Sequence, residues 1–335
     1  MGRRGADDAG FPAGTVRLRA YAKVNLHLRI GPRRPDGYHE IDSVMHRISW
    51  HDDLELRVRS DGAIRLEVVA GGGPGAASLA AVPSGPANLA WRAARLLQEA
   101  AGVRRGADIR LVKRVAVGAG LGGGSADAAA VLFGLRRLWR LPLDARALRR
   151  LGEALGADVP FLLGGRAARV RGKGECIEPL PPWPGLNLVL VPVARPVSTA
   201  WAYARWDRVQ AARAGGPPPG PSGVEPSGLQ PETAGPGGPP VVWEFDGGAV
   251  AEALRNRDLG TLAHLVRNDF EPVVAADVPE VAAALDALRQ EGALAARMSG
   301  SGPVVWGIFP NGEAAARACR RLATRFPAAR PVRTL

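Results

Sequence analysis

Residues 118–124 read GAGLGGG and run directly into Ser125. Five glycines in seven positions leave backbone amides uncovered, so a ligand can come close to the main chain. The residues before them, 108–117 (DIRLVKRVAV), have the character of a strand. The residues after them, 125–138, place Val131, Leu132, Leu135 and Leu138 on one helical face. A helix starting there points its free N–H groups and positive dipole end back at the glycines. Strand, bare loop and helix start together form an anion site suited to phosphate. The Ser125 hydroxyl falls in the first turn, where it can meet a phosphate oxygen or a magnesium ion. A tight turn alone would need one or two glycines, not five.

Two other phosphate loops are weaker fits. Gly118, Gly120 and Gly123 satisfy G-x-G-x-x-G, the dinucleotide fingerprint. That reading requires an acidic residue closing a second strand about twenty residues on, whereas Asp144 stands where a helix begins. A P-loop is excluded because no glycine loop ends in GK[ST]; Lys173 is followed by Gly174.

The surrounding pattern indicates two α+β domains. Residues 15–30 alternate in strand fashion, 31–38 (GPRRPDGY) carry turn chemistry, and strand-like pieces resume over 39–58 and 63–69. Residues 71–86 read as a Gly/Ala/Pro loop. Asn88 and Asp144 are helix caps, each preceding an apolar stripe. Residues 167–177 and 186–193 read as strands, and Ser198 or Thr199 opens a helix towards Gln210. Residues 215–240, rich in glycine, proline and serine, cannot bury a core and read as a disordered insertion or a mobile loop without a catalytic part. Helical patterns return at 249–255, 259–267, 280–290 and 313–325, with a strand ending at Phe309 and a short one closing the chain. The elements lack the βαβ rhythm of a doubly wound sheet. A boundary near residue 180, in the EPLPPWPG segment, gives a tail over 1–14 and domains over 15–180 and 181–335.

Composition narrows the function classes. No run of eighteen apolar residues occurs, and the N-terminus lacks the apolar stretch of a secretory signal, so no membrane association is expected. The two cysteines, Cys176 and Cys319, have no metal-ligand spacing and fit a reducing cytoplasm. The formal charge of +12 comes almost wholly from dispersed arginines, without the interleaved aromatics of a nucleic-acid surface. No nucleic-acid partner is expected, and a monomer or weak homodimer is. His27, His46, His51 and His264 show no metal spacing and read as structural or surface residues.

Four segments together resemble the GHMP kinases, the superfamily of galactokinase, homoserine kinase, mevalonate kinase and phosphomevalonate kinase. Residues 117–129 (VGAGLGGGSADAA) are similar to its nucleotide-binding motif. Residues 20–30 (AYAKVNLHLRI) followed by 36–45 (DGYHEIDSVM) resemble the amino-terminal motif of the diphosphocytidyl-methylerythritol kinases in particular. Residues 156–165 (GADVPFLLGG) resemble the catalytic-aspartate segment, and 297–309 (RMSGSGPVVWGIF) the third superfamily motif. Ala116 stands where family members commonly have proline, and the 215–240 insertion is longer than the pattern requires.

The resemblance implies a two-domain α+β fold: an N-terminal ribosomal-protein-S5-domain-2-like nucleotide-binding domain, a C-terminal ferredoxin-like domain, and a substrate cleft between them. It implies ATP with Mg2+ and transfer of phosphate to the 2-hydroxyl of 4-diphosphocytidyl-2-C-methyl-D-erythritol, on the non-mevalonate route to isopentenyl diphosphate. ATP would lie against Val117, Gly118, Ala119, Gly120, Leu121, Gly122, Gly123, Gly124, Ser125 and Ala126. Asp158 would accept or orient the acceptor's proton, and Lys23 would offset charge on the transferring group. Lys23 is conspicuous as one of three lysines, set in an apolar strand; a buried ion pair without catalytic role fits the same residues. Asn25, Tyr38, His39 and Tyr203 would hold the substrate, the aromatic rings around its cytosine, although Tyr203 also reads as a core aromatic. Ser299, Gly300, Ser301 and Gly302 would form a second small-residue turn. The magnesium ligands stay open. Other readings are a kinase for another alcohol such as homoserine or mevalonate, a non-catalytic ligand sensor, and a dinucleotide oxidoreductase; the DGYHEI segment favours a cytidine-bearing acceptor.

Overall fold

The computed structural model describes residues 14–72, 82–195, 197–213 and 246–335. The 215–240 insertion, nearly all of the N-terminal tail and most of the 71–86 loop lie outside the described residues. Strand β1 (Thr15–Arg33) and strand β2 (His39–Arg59) form one long antiparallel hairpin. Its turn is held by the Asp36 carboxylate, which accepts from the Tyr38 amide, and by Gly37 at φ +83°. Strands β3 (Ile64–Ala70) and β4 (Gly106–Lys113) run parallel to each other, and β4 pairs antiparallel with the second half of β2. Strand β5 (Ala167–Gly172) pairs with the first half of β2, and β6 (Cys176–Leu180) pairs with β5.

Helices α1 (Leu89–Ala100), α2 (Gly123–Leu138), α3 (Ala145–Glu153) and α4 (Val159–Gly164) share a core with this sheet, in which Leu97, Val131, Leu135 and Phe161 meet Leu54, Leu56 and Ile109. The expected caps form: Asn88 accepts from Ala90 N at 2.8 Å and Asp144 from Ala147 N at 2.7 Å.

The second sheet has the order β11-β7-β10-β9, all antiparallel. Its strands are β7 (Asn187–Val191), β9 (Ala295–Met298), β10 (Val305–Phe309) and β11 (Arg330–Arg333). Helices α5 (Thr199–Arg213), α8 (Glu271–Asp277), α9 (Pro279–Gln290) and α10 (Gly312–Leu322) share the core on one of its faces, with Val189, Val191, Val305 and Phe309. The alternate residues Leu188, Leu190, Trp306 and Ile308 turn the other way and meet Val24, Leu26 and Ile48 of the first sheet. Helices α6 (Gly247–Asn256) and α7 (Leu259–Leu265) complete this inter-sheet core through Val250, Leu254 and Leu262. Leu26 and Ile48 are fully buried there, each contributing about 1.5–3 kcal/mol by leaving water. The two-residue strand β8 (Arg267–Asn268) then returns to the first sheet, parallel to β1. No described helix is long and apolar enough to cross a membrane.

Several elements differ from the sequence expectation. The strand expected over 108–117 ends at Lys113, because the Arg114 and Val115 amides donate to the Asp52 carboxylate instead of a neighbouring strand. The single strand expected over 167–177 is a hairpin, turned at Gly172 and Gly174, both at positive φ. Helices α4 and α8 were not expected. Each is too short to show an apolar stripe, although each has proline in its first turn, where the missing N–H costs nothing.

The segment joining the sheets is pinned by His46, which is fully buried. Its Nε2 accepts from Trp183 N at 3.1 Å and its Nδ1 donates to Arg47 O at 2.9 Å. Burial, aided by the Arg166 charge, lowers its pKa from 6.5 to about 4. The folded state therefore holds His46 neutral while the unfolded chain takes up a proton below pH 6.5, so stability falls as pH falls from 6.5 towards 4. Between pH 7 and pH 5 the loss is about 2 kcal/mol. Urea unfolding of wild type and His46→Gln at both pH values should show that the variant lacks this part of the decline; equal declines would contradict it.

Candidate active site

The glycine loop follows β4 across the end of the first sheet and enters α2. Gly118, Gly120 and Gly122 all have positive φ, between +64° and +72°. Gly122 caps α2 without a side chain, and the first intrahelical bond is Ala126 N to Gly122 O at 2.8 Å. The Gly123, Gly124 and Ser125 amides thus have no acceptor inside the helix. They border a cavity of about 510 Å³, whose other walls include Val82, Pro83, Leu89, Lys113, Val117, Asp158, Thr199 and Ser301. First-sheet elements and the second sheet's α5 and 299–302 turn both contribute to it.

Asp158 stands immediately before α4 and makes no capping bond to it, leaving its carboxylate for other contacts. Lys23 comes from β1, on the face opposite the inter-sheet residues Ala22, Val24 and Leu26. The Lys23 ammonium lies 3.4 Å from Asp158 Oδ2, with the lysine side chain 4% exposed and the aspartate 27%. The glycine loop touches both: a Cβ on Gly122 would sit 3.2 Å from the Lys23 chain and 3.3 Å from the Asp158 carboxylate. The Lys23 amide also donates to Leu121 O at 2.9 Å, tying loop to strand. A lysine–carboxylate couple thus meets the glycine loop and the free amides of a helix start, an arrangement suited to an anion.

Asn25 lies beside Lys23, accepting its Nζ at 2.6 Å and donating to Ser43 Oγ at 2.8 Å. Ser299 is buried and turned inward: its Oγ donates to Gly120 O at 2.9 Å and accepts from Asn25 N at 3.3 Å. Of the 299–302 turn only Ser301 borders the cavity; its hydroxyl is 3.0 Å from Thr199 Oγ1. The Ala119, Leu121 and Ala126 side chains are buried in the core, so only the main chain of those positions is left to meet a ligand.

Tyr38 is 59% exposed, with the Lys173 ammonium 4.9 Å from its ring centre. It borders a second cavity of about 330 Å³ with Gly156, Ala157 and Pro160, the segment that carries Asp158. Tyr203 stacks on His39 (centroids 5.0 Å apart, 14° between planes) and meets Phe270 edge-on at 4.8 Å. Burial raises the Tyr203 pKa to about 12, and the Asp158 and Asp207 charges add to the shift, so its hydroxyl stays protonated. His39 Nδ1 donates to Gly31 O at 3.1 Å, while Nε2 lies 2.9 Å from Asp207 Oδ1 but out of line for a hydrogen bond.

The family follows from comparison. Residues 88–166 match the model of the GHMP kinases N terminal domain and 250–328 that of the GHMP kinases C terminal. A 4-diphosphocytidyl-2-C-methyl-D-erythritol kinase of Pelotomaculum thermopropionicum is 42% identical over 307 residues, 92% of each chain. The chain belongs to the 4-diphosphocytidyl-2-C-methyl-D-erythritol kinase family. A kinase of that name from Symbiobacterium thermophilum is 39% identical, over 96% of this chain and all of its own. A crystal structure of 4-(cytidine 5'-diphospho)-2C-methyl-D-erythritol kinase superposes with a TM-score of 0.71 at 32% identity, covering 95% of this chain and 99% of the other. A homoserine kinase of Cytophaga hutchinsonii, 18% identical, covers the whole chain and 97% of its own at a TM-score of 0.67, and so shares the fold. The two-domain α+β expectation holds for this kinase. The dinucleotide reading fails, since α2 after the loop leads to no strand laid parallel beside β4: the next strand, β5, pairs antiparallel with β2, as β4 does.

The sequence reading missed a charged cluster beneath this kinase's glycine loop. Lys113 Nζ reaches Asp52 at 2.5 Å and Asp127 at 2.8 Å, all three side chains buried. Burial pushes the Asp127 carboxyl well above the usual range; the Asp52 charge adds to this and Lys113 opposes it. Asp52 also takes the two amides that end β4, so the cluster fixes both the entry to the loop and the start of α2. One signal was available: Lys113 is a second lysine within an apolar strand.

Proposed function

We propose that this chain transfers the γ-phosphoryl group of ATP to the 2-hydroxyl of 4-diphosphocytidyl-2-C-methyl-D-erythritol, giving ADP and the 2-phosphate. The observation that carries this reading is the Lys23–Asp158 pair lying against Gly122, with Asp158 lining the glycine-loop cavity and its neighbours Gly156, Ala157 and Pro160 lining the Tyr38 cavity. Phosphoryl transfer needs aligned partners and stabilised charge more than covalent help from the protein. The Gly123, Gly124 and Ser125 amides, at the positive end of α2, hold the phosphates. Asp158 takes up or orients the proton of the acceptor hydroxyl as its oxygen attacks the γ-phosphorus. Lys23 offsets the negative charge that gathers on the transferred group. Asn25 keeps Lys23 aimed, and the one amide hydrogen not donated to Ser43 Oγ is what it offers the acceptor's polyol.

Tyr38, His39 and Tyr203 form the cytosine side. An aromatic face with polar edges is what nucleobase recognition requires. Among the described residues no group of three or more His, Cys, Asp or Glu side chains could hold a metal ion. Magnesium would arrive with ATP, and the Ser125 hydroxyl, a hard oxygen donor beside the phosphate amides, is the protein group that would reach it.

The test is coupled ADP release with a panel of alcohols. ADP should appear with the cytidine compound and not with homoserine or mevalonate, and CMP should compete with the acceptor. Turnover of another panel member in its place, or indifference to CMP, would overturn the assignment.

A further inference from the structure

The sequence reading passed over residues 268–271 (NDFE), yet each of the four makes a contact that supports the site. Asn268 is 4% exposed. Its Nδ2 donates to Met298 O at 2.6 Å and to Gly300 O at 2.8 Å, and its Oδ1 accepts from Phe270 N at 2.9 Å. Both amide hydrogens and the oxygen are therefore used. Glu271 Oε2 accepts from Met298 N at 2.8 Å. The backbone on either side of Ser299 is held by this one segment.

The segment is itself fixed to β1. Asn268 pairs with Leu28, the Asp269 amide donates to Leu28 O at 3.0 Å, and Asp269 Oδ2 accepts from Ile30 N at 3.0 Å. Phe270 supports the Tyr203 ring from its edge. The strand carrying Lys23 and Asn25, the turn carrying Ser299 and Ser301, and the aromatic ring over His39 are thus referenced to four consecutive residues.

Resting on the proposed function, we infer that Asn268 is a positioning residue that sets the 299–302 turn against the reacting groups, with Phe270 positioning the acceptor-side aromatic. The turn needs such a support. Gly300 and Gly302 have positive φ and no side chains to pack. Ser299 is also the group that bonds both Asn25 N and Gly120 O. A displacement at Gly300 therefore reaches the Lys23 neighbour and the glycine loop together, and misplacement by about 1 Å costs on the order of 10²-fold in rate.

The experiment compares Asn268→Asp with Phe270→Leu by steady-state kinetics on both substrates, with thermal midpoints and folded fractions alongside. Asn268→Asp keeps the shape but turns an acceptor towards two carbonyls. The expected result is a kcat lowered about 30- to 100-fold, with KM for the cytidine compound within about threefold of wild type because the aromatic side is untouched. Phe270→Leu should do the reverse, raising that KM about five- to tenfold with kcat retained. Should Asn268→Asp not fold, Asn268→Ser, which keeps one donor, reads the same split. The inference is overturned if the Asn268 variant keeps kcat within twofold of wild type, or if both variants change kcat and KM only in step with folded fraction. Failure of the wild type to release ADP with the cytidine compound would overturn the proposed function instead. The Asn268 comparison then runs on whichever alcohol supports turnover.

Discussion

Asp158→Asn should lower kcat about 10³-fold, a loss of about 4 kcal/mol in transition-state stabilisation, while ATP still binds with an affinity close to wild type. The asparagine fills the same space and can still accept one hydrogen bond, but it cannot take a proton from the acceptor hydroxyl. Little else depends on the carboxylate. It makes no capping bond to α4 and is partly exposed, so the cost to the fold is confined to the buried Lys23 ammonium losing its counter-charge, on the order of 1–3 kcal/mol. Lys23 keeps Asn25 Oδ1 at 2.6 Å and is not left without an acceptor. On the proposed function the nucleotide rests on main-chain amides at the start of α2, which this change does not move. Single-turnover rates and calorimetric titration with a non-hydrolysable ATP analogue measure the two quantities separately. A variant with full turnover would remove Asp158 from the mechanism, whereas loss of nucleotide binding would show that the carboxylate shapes the cradle instead.

Gly120→Ala should abolish nucleotide binding and destabilise the protein by several kcal/mol, whereas Gly118→Ala should cost about 1–2 kcal/mol and leave most of the affinity. Both glycines have positive φ, so both alanines carry the same backbone strain. They differ in surroundings. A Cβ at Gly120 would lie 2.0 Å from the Ser299 carbonyl oxygen and 3.2 Å from Gly302 N, and neither main-chain atom can yield without moving the 299–302 turn. A Cβ at Gly118 meets nothing within 4 Å. The pair of variants therefore separates conformational strain from close approach. Thermal midpoints and analogue affinity for both proteins are the readout. Equal behaviour of the two would mean that the loop and the turn do not pack as described.

The glycine loop, the Asn88 and Asp144 caps and the alternation along β1 and β2 could be read from the sequence because each rests on neighbours in the chain. A cap needs the next three residues, a bare loop needs its own glycines, and a strand face needs every second position. The order of the four family segments was likewise visible, which is why Lys23 and Asp158 could be named together before any distance between them was known. Helices α4 and α8 escaped because a single turn or two carries too few apolar positions to mark a face. The hairpin at Gly172 and Gly174 escaped because its turn interrupts what otherwise reads as one extended run.

Tertiary structure alone decided which side chains meet. Asn25 and Ser299 are 274 residues apart, and Lys113 and Asp52 are 61 apart. Their contacts depend on strand register and on how the second sheet closes over the first, and local propensity holds no information about either. The same cause hid the work of Asn268. Its residue type suits a loop, and only the arrival of β9 and the turn after it supplies the two carbonyls that its amide holds. The sequence by itself therefore determined the chemical parts and their order, and the packing of the two sheets determined that those parts meet around Lys23 and Asp158.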